Sequence, residues 1–351
     1  MRNKNITYSK AVNKALIWSM SKDKKMLCYG LGSTDPKKIF STTEGLLEKF
    51  GEERVFDVPC SENALTGISI GSSLNGVRSV VTHQRLDFFL LAMDQLINSA
   101  AKWFYMYGSQ LSVPITIRLI IGRGWGQGPT HSQNLQALFN HIPGLKVVMP
   151  TFPNDARNLL ISSIFDPNPV LFLEHRWLHE TSEKEKKINI TKIGKAKKIL
   201  EGSDITIVAC SYLTIEAIKA AKFLKKNYNI NSEVIDLISI KPLDHALIEK
   251  SVKKTKRLLV VDTGFFTGSI ANDIVYNVIS TCFKILKSKP VKLAMPDVPE
   301  PTSFALTKDF YITHIKICKT VLKILNINKK FFVKKDNMPH DVPGNWFKGP
   351  F

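Results

Sequence analysis

Val55-Phe-Asp-Val-Pro-Cys-Ser-Glu-Asn-Ala-Leu-Thr-Gly-Ile-Ser-Ile-Gly71 is the stretch from which the rest of the chain can be read. Residues 55–58 read as a short strand that Pro59 stops. From Ala64 the pattern is helical, with Gly67 and Gly71 four residues apart. Glu62 therefore falls in the turn between strand and helix and is aimed out of the sheet edge. In a parallel α/β sheet, ligands bind at that edge. A glutamate in the first turn of a helix also complements the helix dipole, and taken alone it needs no other role.

On either side of this stretch, strand and helix patterns alternate. Strands are expected at 26–31, 78–82, 113–121, 145–149 and 170–174. Helices are expected at 43–50, 91–107, 135–139 and 153–164. Tyr8, Ala11, Val12, Ala15 and Leu16 have helical spacing, so the basic N-terminal segment reads as a first structural helix rather than a cleaved leader. Residues 181–203 are rich in Lys and Glu with few large apolar side chains, and read as a linker or an edge hairpin. A second alternating set runs from 204 to 325. The tail 326–351 starts basic and ends with too many Pro and Gly for a regular element. Such alternation predicts an α/β chain with mostly parallel sheets. The divisions expected are 1–180, a linker at 181–203, 204–325 and the tail.

A chain of 351 residues is long enough for two cores, and 44% apolar with 23% charged residues is ordinary for a globular protein. No apolar run is long enough to span a bilayer, so no membrane role is expected. Cys28, Cys60, Cys210, Cys282 and Cys318 are scattered with no CxxC pair. This fits a reducing, cytoplasmic setting and argues against a zinc site or a disulfide scaffold. The net charge of +19 comes from dispersed lysines rather than a basic-aromatic stripe, so nucleic acid is not an expected partner.

Two further stretches carry chemistry. Gln84-Arg-Leu-Asp-Phe88 follows a strand, at the same sheet edge as Glu62. Phe88 there can stack on a flat heterocycle, with Gln84 at its polar rim, or simply fill core space. His131 follows the glycine-rich loop Gly122-Arg-Gly-Trp-Gly-Gln-Gly-Pro129, and an imidazole is the side-chain type best suited to carry protons. An ordinary helix-start role for His131 stands beside that reading. His83, His175 and His179 also lie near strand ends and are expected to be structural or supporting residues. The glycine loop matches neither the P-loop nor the dinucleotide fingerprint.

A Glu followed after four residues by Gly-apolar-x-x-Gly resembles the pyrimidine-binding signature of thiamine diphosphate enzymes. With it stand Asp94-Gln-Leu-Ile-Asn-Ser-Ala-Ala-Lys102, His131-Ser-Gln133, Pro143-Gly-Leu-Lys-Val-Val148, Asp166-Pro-Asn-Pro169, Glu233-Val-Ile-Asp-Leu237, Lys241-Pro242 and Asp297-Val-Pro299. Together, over roughly 8–325, these resemble the β subunit of the thiamine-dependent dehydrogenase component of 2-oxoacid dehydrogenase complexes, of the pyruvate and branched-chain type.

The resemblance implies a transketolase-like pyrimidine-binding domain with a parallel sheet, followed by a smaller transketolase C-terminal-type α/β domain. The second sheet should be mixed, with one antiparallel edge strand. Glu62 would activate the aminopyrimidine, Phe88 would stack on it and Gln84 would lie one turn before. His131 would face the substrate and an incoming lipoyl group. Ile115, Ser163, Asp166 and Asn168 fall where backbone carbonyls hold a structural monovalent cation, often potassium. The diphosphate and its magnesium need a GDG motif, and this chain has none. The resemblance therefore implies a separate α subunit that binds the magnesium, in an assembly of two α and two β chains. It also implies a small-molecule 2-oxoacid substrate and a lipoyl-bearing acyltransferase partner. A split transketolase-like ketol transferase, a non-oxidative decarboxylase subunit and an inactive scaffold subunit remain open. Leu31 after Gly30, Thr130 before His131, and Trp125 in the glycine loop depart from the family pattern and bear on the substrate.

Overall fold

A computed structural model describes residues 4–123, 126–329, 331, 339–347 and 349. Gly124 and Trp125 of the glycine loop, and 332–338 of the tail, lie outside the described residues. The chain divides into two compact units, 1–193 with 345–351, and 194–344.

The first unit opens with β1 (Asn5–Thr7) and the helix Tyr8–Lys22. Thr7 caps this helix through its Oγ1, which accepts from the Lys10 N–H at 3.3 Å. Tyr8, Ala11, Val12, Ala15 and Leu16 are all fully buried, as their spacing requires. The strands β2 (Leu27–Gly30), β3 (Val55–Phe56), β4 (Ser79–His83), β5 (Ile115–Ile121), β6 (Lys146–Val148) and β7 (Val170–His175) follow. They lie in the order β6-β7-β5-β4-β2-β3, and every pair is parallel. β8 (Ser182–Lys184) pairs with β1 in an antiparallel ribbon.

β3 is two residues shorter than its sequence suggests, for a local reason. Asp57 Oδ1 accepts from its neighbour Val58 N–H at 2.9 Å and from Gly32 N–H at 2.9 Å. A side chain thus takes over donors that a longer ladder would use, before Pro59 is reached. The stretch 91–107 also differs from a single α-helix. It contains a 3-10 turn (Leu90–Ala92), a π-helical segment (Gln95–Ala100) and a short α-helix (Ala101–Met106). An apolar stripe looks nearly the same through one widened turn, so periodicity does not separate the two geometries.

The helix Glu62–Leu74 is fixed to the sheet by Leu65, which packs with Tyr29 of β2 and Val81 of β4. Phe56 of β3 stacks on Tyr29 at 4.9 Å between ring centroids. The Tyr29 hydroxyl and Ser69 Oγ share a 2.5 Å hydrogen bond. Burying Leu65 contributes about 2 kcal/mol, and the contact sets where the first turn of the helix lies.

The second unit contains β9 (Lys197–Leu200), β10 (Ile205–Ala209), β11 (Ser232–Asp236), β12 (Ser239–Lys241), β13 (Leu258–Phe265) and β14 (Val291–Met295). Its sheet has the order β14-β13-β10-β11-β9. Only the edge strand β9 runs antiparallel there, which is the mixed sheet expected. Helices Tyr212–Tyr228, His245–Thr255, Ala271–Cys282 and His314–Ile324 accompany it. The Lys- and Glu-rich segment 181–203 holds β8 and β9, two edge strands in two different units rather than one hairpin. Among the described residues no helix is long and apolar enough to cross a membrane.

Candidate active site

The carboxyl ends of β2, β3 and β4 open onto a cavity of about 420 Å³. It is lined by Leu31, Gly32, Asp35, Asp57, Cys60, Glu62, Gln84 and Phe88. Three of the predicted site residues, Glu62, Gln84 and Phe88, therefore meet in one place. Glu62 is the first residue of its helix and only 6% exposed. Its carboxylate has no hydrogen-bond or ion-pair partner among the described residues. A buried polar group without a protein partner, at the wall of a cavity, is set up for a ligand.

Gly32 shapes the opposite wall. Its φ of +76° lies in the left-handed region, and a Cβ there would run into Gln84 Nε2 and Asp35 Oδ2. The backbone can approach the cavity closely only because this residue is glycine.

His131 does not line the cavity itself. Its ring packs edge-on against Phe88, at 5.3 Å between centroids and 88° between planes. It is exposed, its backbone N–H donates to Gly128 O at 3.1 Å, and its Nδ1 lies 2.9 Å from Thr130 Oγ1. Asp87 Oδ1 accepts from Gln133 Nε2 at 2.7 Å, which ties this loop to the turn after β4.

Behind the cavity the sheet edge is buried and rich in titratable groups. Burial pushes the His83 and His179 imidazoles down to about 4. Burial, aided by the charges of His179 and Arg85, takes His175 to about 3. All three are thus neutral supports near pH 7, in keeping with their expected structural role. The ring of His175 occupies the space that a Cβ at Gly122 would need. Arg118 on β5 forms a bidentate pair with Glu174 on β7, at 2.6 and 3.1 Å, and both side chains are fully buried. Burial would raise the Glu174 carboxyl, but Arg118 and His179 outweigh it and hold the group below its ordinary range. The only signal of this pair in the sequence is one charge of each sign inside two apolar strands. Asp35, Asp57 and Cys60 have no such signal in the sequence, because only the turn geometry brings them to the cavity wall.

The four residues of the expected cation site lie elsewhere. Ile115 starts β5, Ser163 lies in the last turn of the helix Pro153–Ile164, and Asp166 and Asn168 sit in the loop before β7. This is the amino end of β5, away from the cavity. The carbonyls of Asp166 and Ile164 accept from Arg78 Nη1 at 3.5 and 3.2 Å. Lys146 Nζ pairs with the Asp166 carboxylate at 2.8 and 2.6 Å. The Ser163 carbonyl accepts from Asp166 N–H at 3.3 Å. Two protein cations serve this loop, Lys146 at the Asp166 carboxylate and Arg78 at the carbonyls of Ile164 and Asp166, and no step is routed through a metal ion there.

The α/β architecture and the cavity at its strand ends define a transketolase-type protein. Residues 4–180 match the transketolase pyrimidine-binding domain, and residues 194–317 match the transketolase C-terminal domain. A solved split-gene transketolase, described as an inactive β4 tetramer, aligns with a TM-score of 0.74. It covers 92% of this chain and 99% of its own at 22% identity, a likeness of fold. The β-2 subunit of the mitochondrial pyruvate dehydrogenase E1 component of Oryza sativa subsp. japonica is 40% identical over 85% of this chain and 80% of its own length. The corresponding β subunit of Rickettsia bellii is 37% identical over 92% of this chain and 99% of its own. The chain belongs to the family of pyruvate dehydrogenase E1 β subunits.

Proposed function

We propose that this chain is the β subunit of a thiamine diphosphate-dependent 2-oxoacid dehydrogenase. It would act with a separate α subunit in an assembly of two α and two β chains. The reaction is oxidative decarboxylation of a small-molecule 2-oxoacid, with the acyl group passed to the lipoyl carrier of an acyltransferase component. The observation that carries this reading is Glu62, buried and without a side-chain partner among the described residues, in one cavity with Gln84 and Phe88, in a chain 37–40% identical to E1 β subunits.

The cavity suits the pyrimidine half of the cofactor. Phe88 offers an aromatic face, Gln84 a polar rim, and Asp35, Asp57 and Glu62 a negative wall for an electron-poor ring. When bound, thiamine diphosphate supplies the carbon nucleophile that protein side chains lack. Glu62 would hold a proton at the far ring nitrogen, where the start of its helix favours the carboxylate once that proton is given up. His131, exposed at the edge of Phe88, would exchange protons with the substrate and the lipoyl group. The magnesium and the diphosphate would be held by the α chain, since this sequence has no GDG motif. A cytoplasmic location is proposed from the scattered, unpaired cysteines.

The test is co-expression with a candidate α chain, followed by a screen of 2-oxoacids with an artificial electron acceptor. Acceptor reduction that requires both chains and the cofactor supports the reading. Turnover only without the acceptor favours ketol transfer or non-oxidative decarboxylation. No turnover on any substrate points to a scaffold subunit. By calorimetry, the isolated chain should bind the cofactor with magnesium weakly or not at all; tight binding would remove the need for an α chain.

A further inference from the structure

Three neighbouring strands, β4, β5 and β7, each deliver an arginine just past their carboxyl ends: Arg85, Arg123 and Arg176. All three are buried, at 4%, 2% and 1% exposure. Arg118, in the same sheet, shows how a purely structural buried arginine looks here, with both ends of its fork on Glu174. Arg85 and Arg176 are different. Arg85 Nη2 donates to Gln127 Oε1 at 2.6 Å, while its Nη1 is buried with no partner among the described residues. Arg176 Nη2 donates to the Gly349 carbonyl at 3.1 Å, while its Nε is buried with no partner among the described residues.

The two guanidinium groups pack on one aromatic ring and feel each other's charge. Their central carbons lie 5.8 Å (Arg85) and 4.3 Å (Arg176) from the centroid of Phe40. Burial and the charge of Arg176 push Arg85 down to about 10, and Asp87 only partly offsets them. Burial also lowers Arg176, against the opposing pull of Glu180. Asp87 Oδ1 is engaged by Gln133, while its Oδ2 is buried without a hydrogen-bond partner among the described residues and faces Arg85 only as a charge; Glu174 is engaged by Arg118 and His179. Two like charges, held out of water with unused donors, are placed to receive an anion.

Arg85 lies between Gln84 and Phe88, both of which line the cavity. The anion received is not the carboxylate that leaves. Decarboxylation discharges that group, and guanidiniums pinning it would stabilise the ground state more than the transition state. A group that keeps its charge throughout the reaction fits.

We propose that Arg85 and Arg176 bind a second anionic group of the substrate, a phosphate or a carboxylate remote from the reacting carbon. The substrate class deepens the function proposed above and rests on it. Phe40 covers the pair and must turn aside to admit the anion. It belongs to Lys38–Ser41, four consecutive non-glycine residues with φ between +45° and +66°. L-residues hold that conformation only under strain, which suits a segment with a second position. Gly349, together with Phe347 at 5.4 Å from the guanidinium, positions Arg176 from the other side.

The test is the melting temperature of the full chain in inorganic phosphate, glutarate or chloride at matched ionic strength. A ligand of the folded state raises it saturably. One of the two probes should do so relative to chloride: phosphate if the substrate carries a phosphate, glutarate if it carries a second carboxylate. Arg85→Gln and Arg176→Gln should each weaken that effect about tenfold or more, the scale of a charge-assisted hydrogen bond. Arg85→Lys keeps the charge without the fork and should fall between. It also serves if a glutamine variant does not fold. No effect of either anion beyond chloride overturns the proposal, as does an effect that survives all the substitutions. Thiamine takes no part in this measurement. A flat titration beside normal thiamine-dependent turnover removes only the subsite, and anion binding without such turnover removes only the dehydrogenase reading.

Discussion

Replacing Glu62 by Gln is the sharpest perturbation available, because the structure separates its effect on activity from its effect on folding. The carboxylate has no partner within the described residues, so Glu62→Gln breaks no intramolecular hydrogen bond or ion pair. What the fold loses is one negative charge at the start of the helix Glu62–Leu74, worth about 0.3–1 kcal/mol. That is a fall of roughly 1–4 °C in Tm for a unit of this size. The amide keeps size and a hydrogen bond but cannot relay a proton. Turnover of the assembled enzyme should therefore fall about a hundredfold or more, the scale of a lost general acid–base. The assay is 2-oxoacid-dependent reduction of an artificial acceptor by wild-type and variant β chains with the same α chain. Hydrogen–deuterium exchange at the thiazolium carbon of the bound cofactor should slow in parallel, while α-chain binding stays nearly unchanged. Near-normal turnover and exchange in the variant would refute the role of Glu62.

The Arg118–Glu174 pair should behave as a unit. Arg118→Met strands a buried carboxylate and should cost ~3–5 kcal/mol, roughly 10 °C in Tm. The double variant with Glu174→Leu should recover much of that loss, and a loss equal to the sum of the two single-variant losses would show that the pair is not coupled. His83, His175 and His179 have folded values of about 4, 3 and 4, below the 6.5 of a free imidazole. The unfolded chain therefore binds protons that the folded chain refuses. Stability is complete above pH 6.5 and declines as pH falls from 6.5 toward 4, by up to ~1.4 kcal/mol per pH unit for each histidine. Urea titrations across that range check this, and a flat profile would mean that these imidazoles are not held neutral. Gly32→Ala places a Cβ against Gln84 and Asp35 at a left-handed φ. It should cost about 1–2 kcal/mol of stability and weaken cofactor binding to the assembled enzyme, as read by calorimetry. Unchanged affinity would place the cofactor away from this wall.

Much of this protein is decided locally, and local features are what a sequence displays. Alternating strand and helix patterns announce two α/β units, because burial on a sheet or helix face imposes a period on the residues themselves. Pro59, the buried stripe of the helix beginning at Tyr8, and the glycines around Glu62 act through their own backbone or their near neighbours. So Glu62, Gln84 and Phe88 stand out as strand-end residues from the order of amino acids alone. The tertiary structure decided what depends on distant segments meeting. It brought Asp35, Asp57 and Cys60 around Glu62, and it shortened β3 because Asp57 reaches Gly32, 25 residues away in sequence. It joined Arg118 to Glu174, 56 residues apart. It put the guanidiniums of Arg85 and Arg176 over one phenylalanine ring. It also turned Arg78 and Lys146 onto the loop expected to hold a metal ion. Charge pairing across strands leaves no periodic trace, since its energy depends on distance in space and burial, not on separation along the chain.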